Sequence, residues 1–339
     1  MSNQTISDVD LARQLSDLTD LITPFAIQAV AELAVPDALA DGPMAVEELA
    51  GRLSCQVQAL RRLLRTLTHR GIFTEISPDV FALGELGQLL RSEHPISLRE
   101  ANLPWLPNVA SLNNLAYSVR TGKPAFVEAH GATLWEYLDT HPADAVRFGQ
   151  HMRSISRFEA ESLLRSYDWA SVRKVADIGG GDGTLLRILL MEHPGLTGTL
   201  FERPQLLPEA RRILAGGELE GRVSVLTGDF FSDDLPNGHE VYVLKRIVYG
   251  FDDEAAVQLL ANVRRAVTPG VRVLLVEPFA GASAAPDSYF THRVDLLMLA
   301  VPGGRVRSVG ELETLLRETG FDVRDVISTA TPTIEGVAR

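Results

Sequence analysis

The chain has 339 residues, enough for two domains or for one large domain with an appendage. Hydrophobic residues make up 45% and charged residues 22%, which supplies a sizeable core and excludes disordered, collagen-like and low-complexity classes. Lys and Arg number 32 against 44 Asp and Glu, a net charge of −12, so nonspecific attraction to nucleic acid or to an anionic membrane is not expected.

The N-terminus (M-S-N-Q-T-I-S-D-V-D) lacks the basic-then-apolar pattern of a signal peptide. No apolar run reaches the roughly 18 residues of a membrane span. A cytoplasmic protein is therefore expected. From Leu11 to Leu33 apolar residues recur at helical spacing, and the stretch reads as one long apolar helix. The one cysteine, Cys55, opens a further helix; it excludes an internal disulfide and a Cys-built zinc cage, and reads as a packing thiol. From Gln58 to Arg70, Leu60, Leu63, Leu64 and Leu67 share one face, with Arg61, Arg62 and Arg65 opposite. Gly71 ends that helix, and I-F-T-E-I-S-P-D-V-F-A-L alternates as a small hairpin.

Helix, helix and hairpin form a winged helix-turn-helix pattern. Its DNA-reading version needs a basic recognition helix. The acidic total favours a dimerisation or packing module instead, with a DNA-binding regulator as the minor alternative. Residues 96–165 form a second helical stretch with Trp105, Trp135, Tyr137, Phe148 and Met152, an aromatic and Met stripe that reads first as core. From Val172, short apolar runs (K-V-A-D-I, T-G-T-L-F, R-V-S-V-L, V-Y-V-L-K, V-R-V-L-L-V) alternate with helical stretches such as Leu185–Glu192 and Ala255–Val267. That rhythm predicts a parallel sheet with helices on both faces.

The first run ends V-A-D-I-G-G-G-D-G-T-L-L. Strand, glycine turn and helix suit a nucleotide fingerprint, yet Asp177 and Asp182 would repel a pyrophosphate. They suit a cationic ligand, and S-adenosylmethionine carries an ammonium and a sulfonium but no phosphate. Gly179 and Gly181 allow close backbone approach to its methionine portion. Glu202 follows Gly183 by 19 residues, where an acid accepts both ribose hydroxyls. G-D-F-F at Gly228–Phe231 follows the third strand.

These motifs resemble the small-molecule O-methyltransferases of the plant caffeate type and their bacterial natural-product relatives. The resemblance spans nearly the whole chain. It implies an α/β protein: a mostly α, winged-helix dimerisation domain over residues 1–100, pocket-forming helices over 101–165, and a Rossmann-like class I methyltransferase domain over 166–339. It also implies a homodimer, a small-molecule substrate and no metal. Asp177, Gly179 and Gly181 match the methionine contacts and Glu202 the ribose position, usually Asp. Asp229 and Phe230 match the pair flanking the adenine, and Lys245 the lysine of L-K-x-x-x-H. Phe148, Met152, Asp295 and Met298 match the substrate wall.

The departures lie at the chemistry. The family's general-base His is Tyr249 here, in L-K-R-I-V-Y-G-F. One partner acid is kept as Glu277, whereas the second is replaced by Val306 in G-G-R-V-R. His151 and His292 are candidates to reach the pocket, with packing or surface roles the simpler reading. Loss of the base resembles the anthracycline-tailoring branch, where some members methylate by proximity and a close relative supports hydroxylation without methyl transfer. The expected function is therefore methylation of a phenol, enol or carbon nucleophile of a bacterial aromatic or polyketide metabolite. The alternative is a hydroxylase, decarboxylase or cyclase that binds the same cofactor.

Overall fold

The computed structural model describes residues 7–281, 289–327 and 332–339. Its contacts divide the chain into two units, Met1–Pro104 and Trp105–Arg339. The helices that follow Trp105 thus share a unit with the large sheet.

In the first unit the expected helix from Leu11 to Leu33 is two helices, Asp8–Leu18 and Ile22–Glu32. The break has a local cause: the Asp20 carboxylate accepts from the backbone N–H of Ile22 at 2.7 Å and of Thr23 at 3.3 Å, starting a new helix instead of prolonging the old one. A core of Val30, Val35, Val46, Leu49, Leu60, Leu64, Leu67, Phe73 and Phe81 joins Ile22–Glu32 to helices Val46–Leu53 and Val57–Thr68. Three short strands, β1 (Met44–Ala45), β2 (Phe73–Ser77) and β3 (Val80–Leu83), close it, with β2 and β3 paired as the expected hairpin. Two of the three arginines on the outer face of Val57–Thr68, Arg61 and Arg65, are engaged within this unit. Arg61 pairs with Glu47 at 2.8 Å and Asp79 at 2.5 Å, and Arg65 with Glu75 at 2.7 Å. Cations so paired are a weak phosphate reader, which favours the packing-module reading of this winged helix.

The second unit is built on a seven-stranded sheet in the order β6-β5-β4-β7-β8-β10-β9. The strands are β4 (Lys174–Ile178), β5 (Thr197–Glu202), β6 (Val223–Thr227), β7 (Val241–Lys245), β8 (Arg272–Val276), β9 (Phe321–Ile327) and β10 (Thr333–Ala338). β4 to β8 are the five apolar runs of the sequence and pair in parallel; β10 runs antiparallel between β8 and β9.

Alternate side chains face opposite layers, as the two-residue period of a strand requires. Tyr242 and Leu244 enter a core with helix Asp253–Ala266, whereas Val241 and Val243 pack with helix Thr184–Glu192. The strand order reverses between β4 and β7, so the crevice beyond their carboxyl ends is the topological switch point of the sheet. Among the described residues no helix is long and apolar enough to cross a membrane.

Candidate active site

Four charged side chains stand at the carboxyl ends of adjacent strands: Asp177 on β4, Glu202 on β5, Lys245 on β7, and Glu277 immediately after β8. Asp177 is 1% exposed, and neither carboxylate oxygen has a hydrogen-bond partner in the structure. Burial pushes its pKa up to about 7; nearby Lys245 works against this, while Glu202 and Asp182 add to it. A buried carboxylate left without donors is stable as an anion only when a cation reaches it, so its chemistry fits an ammonium group.

The glycine loop is shaped around that carboxylate. Gly179 has φ +68°, and a Cβ there would lie 2.7 Å from Ile247 Cδ1; one on Gly180 would lie 2.2 Å from Asp177 Oδ2. Gly181, at φ +64°, donates its N–H to Glu202 Oε2 at 2.7 Å, and Arg203 donates to Oε1 at 2.7 Å. Burial raises the Glu202 pKa, while these two donors and the Arg203 charge oppose the rise. Asp182 differs from the sequence expectation. Arg153 Nε bonds its Oδ2 at 2.5 Å and also reaches Glu209, so the charge of Asp182 is already matched by the protein. Asp229 is exposed and accepts from Phe231 N at 2.9 Å. The Phe230 ring beside it lies 5.9 Å from Phe251.

Tyr249 sits in the short 3-10 turn Val248–Gly250 and is 5% exposed. Its N–H donates to Glu277 Oε2 at 3.1 Å, and its hydroxyl accepts from Arg246 Nη1 at 3.0 Å. Burial raises the phenol's pKa, with Arg246 drawing it back. Burial likewise lifts Glu277 to about 7. Arg307, fully buried, donates to the carbonyls of Val248 and Phe251 at 3.0 and 2.9 Å and clamps the turn. Gly304 touches it from the other side: an added Cβ would lie 2.2 Å from the Tyr249 carbonyl oxygen. Gly304→Ala is therefore expected to destabilise the protein by about 1–3 kcal/mol in urea unfolding, the cost of overpacking against backbone. Unchanged stability would show that the turn yields freely.

Of the expected substrate wall, Met298 shares an apolar cluster with Tyr249, Val294, Leu297 and Val306. Asp295 accepts from Val306 N at 2.7 Å. Phe148 lies 5.6 Å from Trp105 and 6.0 Å from Trp135, and Trp135 stacks on Phe251 at 6.1 Å. Met152 is half-buried on the same helix as Phe148, Pro142–Ser166. His292 is exposed and His151 half-buried.

Sequence reasoning missed a buried ionic cluster. Glu159, from the middle of Pro142–Ser166, pairs with Lys245 at 3.3 Å and Arg246 at 2.6 Å, and Lys245 also donates to Ser156 at 2.8 Å. Two adjacent cations at a strand end, Lys245 and Arg246, were the only available signal.

Residues 112–322 match the family model of an O-methyltransferase domain, and residues 16–93 that of an O-methyltransferase dimerisation domain. The chain is 35% identical to the mitomycin biosynthesis 6-O-methyltransferase of Streptomyces lavendulae, over 88% of this chain and 85% of that one. It is also 35% identical to the aclacinomycin 10-hydroxylase of Streptomyces purpurascens, over 93% and 85% of the two chains. Among solved structures, the O-methyltransferase of neocarzinostatin biosynthesis, in complex with S-adenosylmethionine and 2-hydroxy-5-methyl naphthoic acid, superposes with a TM-score of 0.76 at 34% identity, covering 95% of this chain and 98% of that one.

Proposed function

The chain belongs to the O-methyltransferase family, and from that premise we propose that it methylates a phenol, enol or carbon nucleophile of a bacterial aromatic or polyketide natural product. The observation that carries the reading is Asp177, a buried carboxylate without a donor at the switch point of the sheet. S-adenosylmethionine, the family's cofactor, supplies an electrophilic methyl group on a sulfonium.

Asp177 holds the ammonium of the methionine portion, and the Gly179 and Gly181 backbone follows its chain closely. Glu202 keeps lone pairs for the ribose hydroxyls beyond those taken by Gly181 and Arg203. Asp229 and Phe230 flank the adenine, the first as acceptor and the second as a flat apolar surface. Lys245, anchored by Ser156 and Glu159, completes the cofactor side. On the acceptor side Phe148, Met152, Asp295 and Met298 form the wall, and Tyr249 and Glu277 occupy the catalytic positions. Methyl transfer is an in-line displacement, in which alignment alone contributes up to roughly 7–11 kcal/mol.

Release of S-adenosylhomocysteine with hydroxylated naphthoate and anthraquinone acceptors tests this. A second reading is a reaction on the same scaffold without methyl transfer. It is favoured by Tyr249 in place of the base and by the likeness to a hydroxylase. Conversion of an acceptor with no S-adenosylhomocysteine formed would select it.

The protein acts as a homodimer in this reading. Supporting it are the dimerisation-domain match and a first helix, Asp8–Leu18, that has no buried residue and leaves Leu15 62% and Leu18 85% exposed. Light scattering is expected to give twice the chain mass at micromolar concentration; the mass of one chain would refute the dimer.

A further inference from the structure

The Tyr249 hydroxyl accepts its hydrogen bond from Arg246. Its own proton must then point elsewhere, and among the described residues no acceptor meets it. Around the ring stand Val294, Leu297, Met298 and Val306, all apolar. A donor buried in such company is costly unless a ligand brings an acceptor.

Arg246 strengthens the point. Its guanidinium is 8% exposed and directs Nε and Nη2 at Glu159 and Nη1 at Tyr249. Its backbone has φ +58°, a left-handed conformation that side-chain-bearing residues rarely adopt and that clusters at functional sites. The charged groups around the pair are engaged with one another or with backbone donors. Glu159 is shared by Lys245 and Arg246, and Arg307 is matched by Asp253. Asp295 accepts from Val306 N, and Glu277 accepts from Tyr249 N. The Arg246 guanidinium is the charged group in direct contact with the hydroxyl.

We propose that Arg246 and Tyr249 form an oxyanion site that receives the acceptor in ionised form, so that the substrate class is a phenol or enol acidic enough to lose its proton near neutral pH. The inference rests on the proposed function for the reaction and deepens it by naming the substrate class. The acceptor proton leaves to solvent on binding. An oxygen lone pair then forms the O–CH3 bond while the C–S bond breaks with its electrons to sulfur. Anion and sulfonium become a neutral ether and a neutral thioether, and no proton is removed in the step. Tyr249 and Arg246 thus replace a base by lowering the acceptor's pKa.

The test uses 4-nitro-1-naphthol, whose phenolate absorbs visible light, titrated in the full-length protein with S-adenosylhomocysteine present. The wild type is expected to lower the probe's pKa by about one unit or more. Arg246→Met should abolish the shift, Arg246→Lys should keep part of it, and Tyr249→Phe should lose part of it. Affinity for S-adenosylhomocysteine, read by calorimetry, should be the same in the wild type, Arg246→Lys and Tyr249→Phe, which keep a cation on Glu159. Should Arg246→Met fail to bind it, the Lys and Phe variants decide. An unshifted or raised pKa in the wild type, a full shift in Arg246→Met or in both other variants, or no saturable binding of the probe would overturn the site. Failure of the methyl-transfer reading looks different: no S-adenosylhomocysteine forms from any acceptor while the probe's shift persists.

Discussion

Asp177→Asn is expected to weaken S-adenosylmethionine binding by at least about a hundredfold while making the cofactor-free protein more stable at pH 8. Both effects have one origin. The side chain is buried, without a donor, and its pKa is lifted by burial from 3.8 to about 7. Removing one partner of a buried ionic pair costs about 3–5 kcal/mol, so replacing the carboxylate opposite an ammonium falls on that scale.

The stability effect has the opposite sign. The folded-state pKa lies above the unfolded one, so the folded protein holds this proton more tightly. The unfavourable contribution of the ionised carboxylate is absent below about pH 4, grows as pH rises toward 7, and is complete above it. Asparagine never ionises. The variant's advantage should thus be small near pH 4 and reach a few kcal/mol at pH 8, on the order of the shift itself. The same proton competes with the cofactor, and wild-type affinity should fall about tenfold per pH unit below 7. Calorimetry from pH 5.5 to 8.5, with urea unfolding at matching pH, reads both. An Asn variant that binds normally, or that is less stable than wild type at pH 8, would show that Asp177 is not the ammonium site.

That position was legible before any coordinates because it depends on local pattern. A buried parallel strand writes itself as a short apolar run, and its carboxyl end is marked by the turn that follows. Hence Asp177 and Glu202 stand where the runs K-V-A-D-I and T-G-T-L-F end. β9 and β10 were not read at all. Phe321–Ile327 alternates charged and apolar residues as an edge strand does, and β10 places Glu335 in the middle of a buried stretch, so neither presents a plain apolar run.

What joins distant segments was also hidden. Glu159 reaches Arg246 across 87 residues, and Arg153 reaches Asp182 across 29; no periodicity encodes either pair. The first changes the reading of Tyr249, which sequence alone saw as a phenol beside a negative Glu277. The second removes Asp182 from the set of carboxylates open to a ligand. Apolar spacing likewise gave the right character to Leu11–Leu33 but not its break, because the carboxylate of Asp20 decides the latter.

Tyr249→Phe is expected to slow turnover by no more than about a hundredfold, the scale of one lost donor to a developing or bound oxyanion. A free tyrosine has a pKa of about 10, so near pH 7 about one phenol in a thousand is ionised. Burial raises the value here despite the adjacent guanidinium, which leaves fewer still. As an obligatory base Tyr249 would begin with a deficit of about 4 kcal/mol or more. The contacts agree with the opposite role. Arg246 donates to the phenol oxygen, which leaves the proton free to be given, and Val306 packed beside the ring offers no carboxylate to orient a base. Deletion of the hydroxyl then removes a donor and leaves the cation behind it. The pH–rate profile should keep its titrating limb, since in this scheme the limb belongs to the acceptor and not to the tyrosine. A loss beyond roughly ten-thousandfold, the upper range of general-base catalysis, or disappearance of that limb would show that the phenolate takes the proton. A loss within a hundredfold with the limb intact separates the two roles, because a base that has lost its ionisable group has nothing left to titrate.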